Sequence, residues 1–436
     1  MPPTLLSFGP WTDTPAPVSA IEGDVRCDVV VLGGGYCGMS AARQLGERGA
    51  DVVLLEAEFC GWGASARNAG HLTPTIAGDP QLLATVYRRR ARELVRLADN
   101  AVRFVESLIH EEAVDCDYEP VGNVSVALTD GGMRRAARIT RFLASAGAEV
   151  ELVDATEFGL PRAMRGGILE RRGGVLNPGR LAMQLRGRLL GSPVRVFEGS
   201  PARSVERAGT GFSVLTPRGR VTAGHVLLAT NAFTAELGSA PRRVVVPLWV
   251  TLAETSQADA DLLASTGWTS RAGIYTQHLI LESYRLTAAG TIAFGTRRVQ
   301  PARRPLVART PDTKIVDELA RAFAERFPSL ADNRVEVRKA WGGWIAMTPS
   351  WLPVAGTTSE GLHYAVGFNG HGVAQAPYIG HLIADHIAGG PRADDLETIW
   401  RARPRYLPAP IFSAPALSLG WRLDRLGDHI ARARTR

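Results

Sequence analysis

Six consecutive residues, Gly33-Gly34-Gly35-Tyr36-Cys37-Gly38, carry the spacing G-x-G-x-x-G, and an acid, Glu56, follows them. These types at this spacing suit a ligand with a diphosphate. Gly33 permits a tight turn, Gly35 leaves bare backbone for the phosphates, and Gly38 lets a helix lie close on a strand. A helix opening here offers unpaired N–H groups and the positive end of its dipole. Glu56 can accept hydrogen bonds from ribose hydroxyls. A glycine run alone is weak, because glycines occupy turns everywhere.

The elements that must hold these residues are legible around them. Residues 28–32 (DVVVL) read as a strand ending at Gly33, and residues 36–48 as a helix closed by Gly49. Residues 51–55 (DVVLL) read as a second strand ending at Glu56. Strand, turn, helix and strand make a βαβ unit with a parallel pair. In that context the glycine run predicts a dinucleotide site. The acid argues against NADP, whose extra phosphate it would repel, and leaves FAD and NAD both open.

Further along, Gly61-Trp62-Gly63-Ala64-Ser65-Ala66-Arg67-Asn68-Ala69-Gly70-His71 is a loop of small residues suited to close backbone approach. Helical patterning covers about 79–112, 131–146, 179–190, 314–326 and 372–388. Strands are predicted at about 121–128, 194–197, 202–206, 212–215 and 221–228. The stretch from about 243 to 300 is strand-rich, and residues 363–367 (HYAVG) enter a second glycine-rich turn. No internal repeat is present.

Composition narrows the function. The chain has 436 residues, 45% of them hydrophobic, and a formal net charge of +7. Lys314 and Lys339 are its only lysines. No dense basic block with interleaved aromatics occurs, so a nucleic-acid partner is not expected, while a modest pull on anionic substrates is. Cys27, Cys37, Cys60 and Cys116 form no C-x-x-C pair and no metal-ligand spacing, and read as reduced thiols of a cytoplasmic protein. Met1 to Asp24 lacks a signal-peptide pattern, and no apolar run is long enough for a membrane helix.

Four stretches together resemble a known family. They are the glycine run with Glu56, the run from Gly61 to Gly70, Leu227-Leu228-Ala229-Thr230-Asn231-Ala232-Phe233, and Gly367-Phe368-Asn369-Gly370-His371-Gly372-Val373-Ala374. The sequence is similar, over about residues 25–390, to the D-amino-acid oxidase-type FAD-dependent oxidoreductases. Within them it resembles the gamma-glutamylputrescine oxidoreductase branch. It departs from that branch at Ser350-Trp351-Leu352-Pro353, at Asn369 where Ser is common, and at His71 where Gln is common.

The resemblance implies an α/β fold (α+β overall): a Rossmann-like FAD-binding domain with an antiparallel-sheet substrate domain. The expected FAD-binding segments are 27–80, 150–240 and 340–390. The expected substrate segments are 81–149 and 241–339, flanked by an extension (1–26) and a tail (391–436). FAD is then expected on Gly33, Gly35, Tyr36, Cys37, Gly38, Glu56 and Ala57 at one end. Gly63, Ala64, Ser65, Arg67, Asn68, Gly70, His71 and Leu72 follow, with Ala202, Thr230, Asn231 and Gly343. Gly367, Asn369, Gly370, His371, Gly372 and Val373 complete the set.

The same resemblance implies hydride transfer from the carbon of a small amine or amino-acid-like substrate to flavin N5, with O2 as acceptor and peroxide as product. Lys339, just before Trp341-Gly342-Gly343-Trp344, is the candidate cation for oxygen activation. A surface lysine is the plainer reading. His71 and His371 are candidate flavin neighbours, and His71 a conceivable attachment point. Tyr284, Arg285, Arg297 and Trp344 are candidate substrate contacts. Arginine suits a carboxylate, although most arginines in so arginine-rich a chain are solvated. Trp249 and Trp341 could wall a pocket or simply fill a core. Two other readings keep the fold: a desaturase or dehydrogenase of specialised metabolism using another acceptor, and a non-catalytic FAD-binding subunit.

Overall fold

The computed structural model describes residues 2–76, 80–237, 244–278, 280–302, 306–307 and 309–401. The side chains of residues 81, 82 and 297 also lie outside the description.

The predicted βαβ unit forms as strand Gly23–Leu32, helix Tyr36–Glu47 and strand Val52–Leu55. The two strands run parallel, with Val29 opposite Val52. Their apolar ends are buried on both faces, as a parallel strand inside a sheet requires. They sit in an eight-stranded sheet in the order Ser204–Ala208, Gly211–Leu215, Gly219–Leu228, Gly23–Leu32, Val52–Leu55, Arg195–Phe197. His363–Val366 joins it parallel to Gly219–Leu228. Helix Gly372–Ile387 packs against the fingerprint helix. The approach is so close that a Cβ on Gly380 would stand 2.3 Å from the Cys37 carbonyl oxygen.

The second layer is a nine-stranded sheet. Its order is Thr4–Leu5, Val337–Met347, Val246–Thr255, Ile292–Pro301, Ser283–Leu286, Gly273–Thr276, Asn123–Ala127, Gly166–Glu170, Val150–Asp154. This redraws the expected segments. Val150–Asp154 and Gly166–Glu170 were expected with the FAD-binding part, yet they pair into the nine-stranded sheet through Val126 opposite Gly167 and Leu152 opposite Ile168. Hydrogen bonding across strands, which single-strand patterning does not reveal, decides the membership.

The two faces of this sheet differ. One face carries Val124, Val126, Ile274, Tyr284 and Phe294, and packs on Leu319 and Phe323 of helix Thr313–Arg326. By strand alternation the other face carries Asn123, Ser125, Tyr275 and Arg285, all buried. A polar face that is nevertheless buried has to be covered by something polar.

The amino-terminal extension crosses the edge of the same sheet. Thr4 and Leu5 pair parallel with Lys339 and Ala340, and the Leu6 N–H donates to the Ala340 carbonyl at 2.8 Å. The chain then runs past the 61–70 loop as a strap.

Candidate cofactor and active site

One cavity of about 780 Å³ collects the separated motifs. Gly33, Gly35, Tyr36 and Cys37 line it from the first turn, and Glu56 and Ala57 from the end of the second strand. Gly63, Ala64, Ser65 and Asn68 line it from the loop, and Ala202, Thr230 and Asn231 from the far strands. Gly370, Gly372 and Val373 line it from the late turn, with Trp344 of the long edge-spanning strand. Residues more than 300 positions apart therefore face one space.

Local contacts hold the turn in shape. Glu56 Oε2 accepts from the Gly34 N–H at 2.6 Å and Oε1 from the Glu58 N–H at 3.0 Å. Burial raises its carboxyl pKa above the usual range. Ser65 Oγ accepts from the Tyr36 N–H at 3.0 Å, joining the loop to the fingerprint helix. Asn231 Oδ1 accepts from the Gly367 N–H at 2.9 Å, joining the two far motifs. Gly38 does not line the cavity. A Cβ there would lie 1.8 Å from the Gly33 carbonyl oxygen, so this glycine serves helix–strand packing.

Other expected cofactor residues take different work. Arg67 is 4% exposed and acts as a clamp. Its Nε donates to the Trp62 carbonyl at 2.8 Å, and its Nη1 to the carbonyls of Ser7 (2.7 Å) and Gly342 (3.1 Å). The guanidinium lies over the rings of Trp62 and Phe8. Burial lowers its pKa to about 10, so it stays charged. Gly343 provides the bare backbone over which the Arg67 side chain lies. His71 and Leu72 form a short strand paired with Gly174 and Val175. Asn369 sits at φ +50, where its Oδ1 accepts from the Thr348 N–H at 2.7 Å. Gly70, Gly367 and His371 also stand outside the cavity lining.

His71 is fixed in one tautomer. The Asn123 amide donates through Nδ2 to the carbonyls of Leu72 (2.9 Å) and Gly174 (3.1 Å), which leaves Oδ1 as the acceptor. His71 Nδ1, 2.9 Å from that oxygen, therefore carries the proton. Nε2 is an acceptor, buried and without a hydrogen-bond partner among the described residues. Burial pushes the pKa of His71 down to about 4, and burial does the same to His371. Both imidazoles are neutral at ordinary pH.

Several buried polar atoms outside the cavity lining have no hydrogen-bond partner among the described residues. They include Arg67 Nη2, His71 Nε2, Ser125 Oγ, Glu170 Oε2, Gln277 Oε1, Gln375 Oε1, and Arg285 Nε and Nη2. Each buried polar atom without a partner costs about 1–3 kcal/mol. The bare backbone at Gly33 and Gly35 with Glu56 beside it, and the Gly370 turn in the same cavity, fit FAD.

The predicted substrate contacts divide. Tyr284 belongs to the apolar core: it packs against Phe294 and Phe327, and its hydroxyl donates to Glu282 at 3.0 Å. Strand alternation turns it away from Arg285, its neighbour, which corrects its expected role. Arg285 lies on the polar face. Arg297 has its backbone in strand Ile292–Pro301, and its side chain lies outside the described residues. Trp344 lines the cavity and donates to the Val307 carbonyl at 3.1 Å. Trp249 packs on it edge to face. Lys339 does not reach the cavity. Half exposed, it stands opposite Glu254 across the strands, with Nζ 3.2 Å from that carboxylate. Trp11, Asn123 and Tyr275 were not anticipated. Asn123 and Ser125 alternate with valines in Asn123–Ala127, and that alternation was the available signal for a polar face.

The four cysteines are free, and burial pushes the thiols of Cys27, Cys37 and Cys116 up to about 12. No metal-holding group and no helix long and apolar enough to cross a membrane occurs among the described residues.

Comparison with known proteins gives three results. The sequence model of the family described as "FAD dependent oxidoreductase" matches residues 28–386. Gamma-glutamylputrescine oxidoreductase of Escherichia coli is 30% identical over 380 residues, 86% of each chain. Among solved structures, glycine oxidase from Geobacillus kaustophilus superposes with a TM-score of 0.72 at 21% identity, over 87% of this chain and 99% of the other. L-proline dehydrogenase from P. horikoshii also gives 0.72, at 19% identity, over 86% and 96%. At these identities the two structures speak for the fold alone.

Proposed function

This chain belongs to the FAD-dependent oxidoreductase family, as an enzyme of the amine or amino-acid oxidase type, and from that premise we propose that it oxidises the C–N bond of a small amine or amino-acid-like substrate, with O2 as the final acceptor. The observation that carries the reading is the convergence of the Gly33 turn and the Gly370 turn on one cavity. When bound, FAD supplies the acceptor for a hydride from the carbon bearing the nitrogen, leaving an imine that water hydrolyses, and its reoxidation by O2 yields peroxide.

The chain's own residues bind, orient and keep the site neutral. Glu56 and the bare backbone at Gly33 and Gly35 hold the adenosine and diphosphate end. The Gly370 turn and the opening of helix Gly372–Ile387 border the same cavity and suit the other end. A hydride leaves only from an amine whose nitrogen lone pair is free, so the amine must be unprotonated. Neutral His71 suits that need: its Nε2 can accept a hydrogen bond from an N–H without adding charge. No strong base is required.

The test is an anaerobic screen of primary amines, N-methyl amino acids and small amino acids, read as bleaching of the flavin absorbance. Bleaching followed by peroxide on admitting air is the expected outcome. Bleaching without peroxide transfers the reading to another electron acceptor. A colourless protein that cannot be reconstituted with FAD ends it.

A further inference from the structure

Glu170 ends strand Gly166–Glu170 and is 4% exposed. Its Oε1 accepts from the Thr75 hydroxyl at 2.6 Å, and that hydroxyl lies 3.3 Å from the Tyr275 hydroxyl. Oε2 is buried without a hydrogen-bond partner among the described residues, and no cation there pairs with this carboxyl. The contrast is with Glu198, fully buried and paired with Arg186 at 2.7 Å. A buried carboxylate without a countercharge is costly, and the group tends to hold a proton instead. Burial, opposed in part by the hydrogen bonds from Thr75 and Tyr275, raises the Glu170 pKa to about 7.

A small cavity of about 30 Å³ borders this carboxyl, apart from the cofactor cavity. Besides apolar side chains it is lined by Thr75 and Glu170, and by Asp99, Glu149 and Arg172. That volume has room for a water molecule, which Oε2 can hold. The Glu149 side chain is 53% exposed, so the cavity leads from the buried carboxyl toward solvent. Arg172 offers Glu170 no countercharge, because it pairs with Asp99 and Glu149, each at 2.5 Å.

The same carboxyl is tied to the wall of the cofactor cavity. The Thr75 carbonyl accepts from Gln375 Nε2 at 3.0 Å. Gln375 is 1% exposed and sits in the first turn of helix Gly372–Ile387, whose Gly372, Val373 and Ala376 line the cofactor cavity. Two hydrogen bonds, both on Thr75, therefore join Glu170 to that helix opening. Across the strands Glu170 stands opposite Asn123, which fixes His71, and His71 is itself neutral.

We propose that Glu170 is a redox-linked proton site: it takes one proton from solvent, through the small cavity, when the cofactor in the neighbouring cavity becomes more negative, and gives it back on reoxidation. The chemistry balances. A hydride brings FAD two electrons and one proton, which leaves the reduced flavin one unit more negative than the oxidised form. A like charge nearby favours the neutral carboxyl, and burial keeps salt from screening the two. Glu170 then binds one further proton, from water. Reoxidation removes the hydride and the charge, and the proton returns to water. This rests on FAD filling the cavity and goes beyond the amine-oxidising reading.

The experiment is the reduction potential of FAD-loaded enzyme against pH, measured by equilibration with reference dyes. A two-electron couple that takes up one proton shifts its equilibrium tenfold per pH unit, or about 30 mV. In the wild type the slope should steepen above about pH 7 toward a hundredfold per unit, or about 59 mV, because a second proton enters. Glu170→Gln keeps the shape of the side chain and should hold the slope near about 30 mV throughout. Infrared difference spectra on reduction at about pH 8 should show a protonated-carboxyl band that Glu170→Gln lacks. Thr75→Val removes a donor that favours the carboxylate and should move the steep window to higher pH.

Equal slopes in the wild type and Glu170→Gln would overturn the proposal. A carboxyl band that survives in Glu170→Gln, or a window unmoved by Thr75→Val, would place the proton on another group and do the same. Dye equilibration needs no amine, so the proton site stands or falls separately from the amine-oxidising reading.

Discussion

His71 Nδ1 lies 2.9 Å from Asn123 Oδ1, so a residue at the end of the 61–71 loop takes its tautomer from a residue of the nine-stranded sheet. Burial pushes the His71 pKa down to about 4, and the hydrogen bond to the neutral amide opposes this only in part. Asn123→Asp places a carboxylate at that position and pulls the pKa back up. The wild-type rate of anaerobic flavin reduction should show no inflection from His71 between pH 5 and 8. In Asn123→Asp an inflection should enter that window, with the rate falling as pH drops through it. A flat profile in the variant would remove His71 from the reacting region.

Stability against pH follows from four buried groups. His71, His363 and His371 are held near 4 by burial, below the ordinary 6.5. Below 6.5 the unfolded chain binds protons that the folded chain refuses. Their contribution is therefore complete above 6.5 and is lost as pH falls toward 4. Glu170 runs the other way: burial raises it from 4.5 to about 7, so its contribution is present below 4.5 and is lost as pH rises toward 7. Three protons against one make the chain less stable on acidification from 6.5 to 4.5, at about 1.4 kcal/mol per pH unit for each net proton. Glu170→Gln removes the opposing group. Its melting temperature should fall more steeply with acid than that of the wild type.

Lys339 pairs with Glu254 in a half-exposed site and does not line the cavity. A cation that accelerates oxygen chemistry has to stand where charge develops. Lys339→Met should therefore leave the rate of flavin reoxidation by air within about twofold, and stability within about 1 kcal/mol, as for exposed ion pairs. A hundredfold slower reoxidation in stopped flow would restore the role that its sequence position suggests.

Much of the cofactor end was legible because its residues act through backbone and spacing. Gly33, Gly35 and Glu56 sit in a local unit whose geometry their own neighbours dictate, and all of them line the cavity. The substrate end was less legible. Tyr284 and Arg285 are adjacent in a strand, so one of them had to face away, and sequence gives the alternation without the side. Lys339 suffered similarly, since its partner Glu254 lies 85 positions back. Arg67 looked like a cofactor contact, yet its acceptors are carbonyls of Ser7, Trp62 and Gly342. Trp11 lies in a proline-rich stretch with no periodicity, and its contacts with Asn68, Arg285 and Trp341 come only from the fold.

The first glycine turn gives a direct test of the cofactor. The Gly35 amide face borders the cavity, and a Cβ there would already stand 3.2 Å from Ser65 Oγ. Gly35→Val fills that space with a branched side chain and should abolish FAD retention on purification. Glu56→Ala removes a buried carboxylate that holds the Gly34 N–H. It also removes the acceptor proposed for the ribose hydroxyls, and losing a hydrogen bond to a charged group costs about 1.5–3 kcal/mol, so the FAD dissociation constant should rise about 10- to 100-fold by fluorescence titration. Retention of full yellow colour by both variants would contradict the assignment of this turn.

Two departures from the family pattern meet at one residue, Thr348. Asn369 replaces the common Ser, and the segment Ser350-Trp351-Leu352-Pro353 replaces the usual run before the last strand. Thr348, two residues before that segment, donates from its hydroxyl to the Leu352 carbonyl at 2.7 Å, and both its N–H and its hydroxyl lie within reach of Asn369 Oδ1, at 2.7 and 3.3 Å. Asn369 tolerates its φ of +50 better than most residues, and its Nδ2 also donates to the Gly367 carbonyl at 2.5 Å. A serine is too short to make both bonds. Asn369→Ser should cost about 1–3 kcal/mol, the penalty of stranding the buried Thr348 N–H, and lower the melting temperature accordingly. Because the coupling runs through the Oδ1 atom, Asn369→Ser combined with Thr348→Ala should cost less than the sum of the two single variants. Strict additivity in that cycle would show that the two departures arose independently.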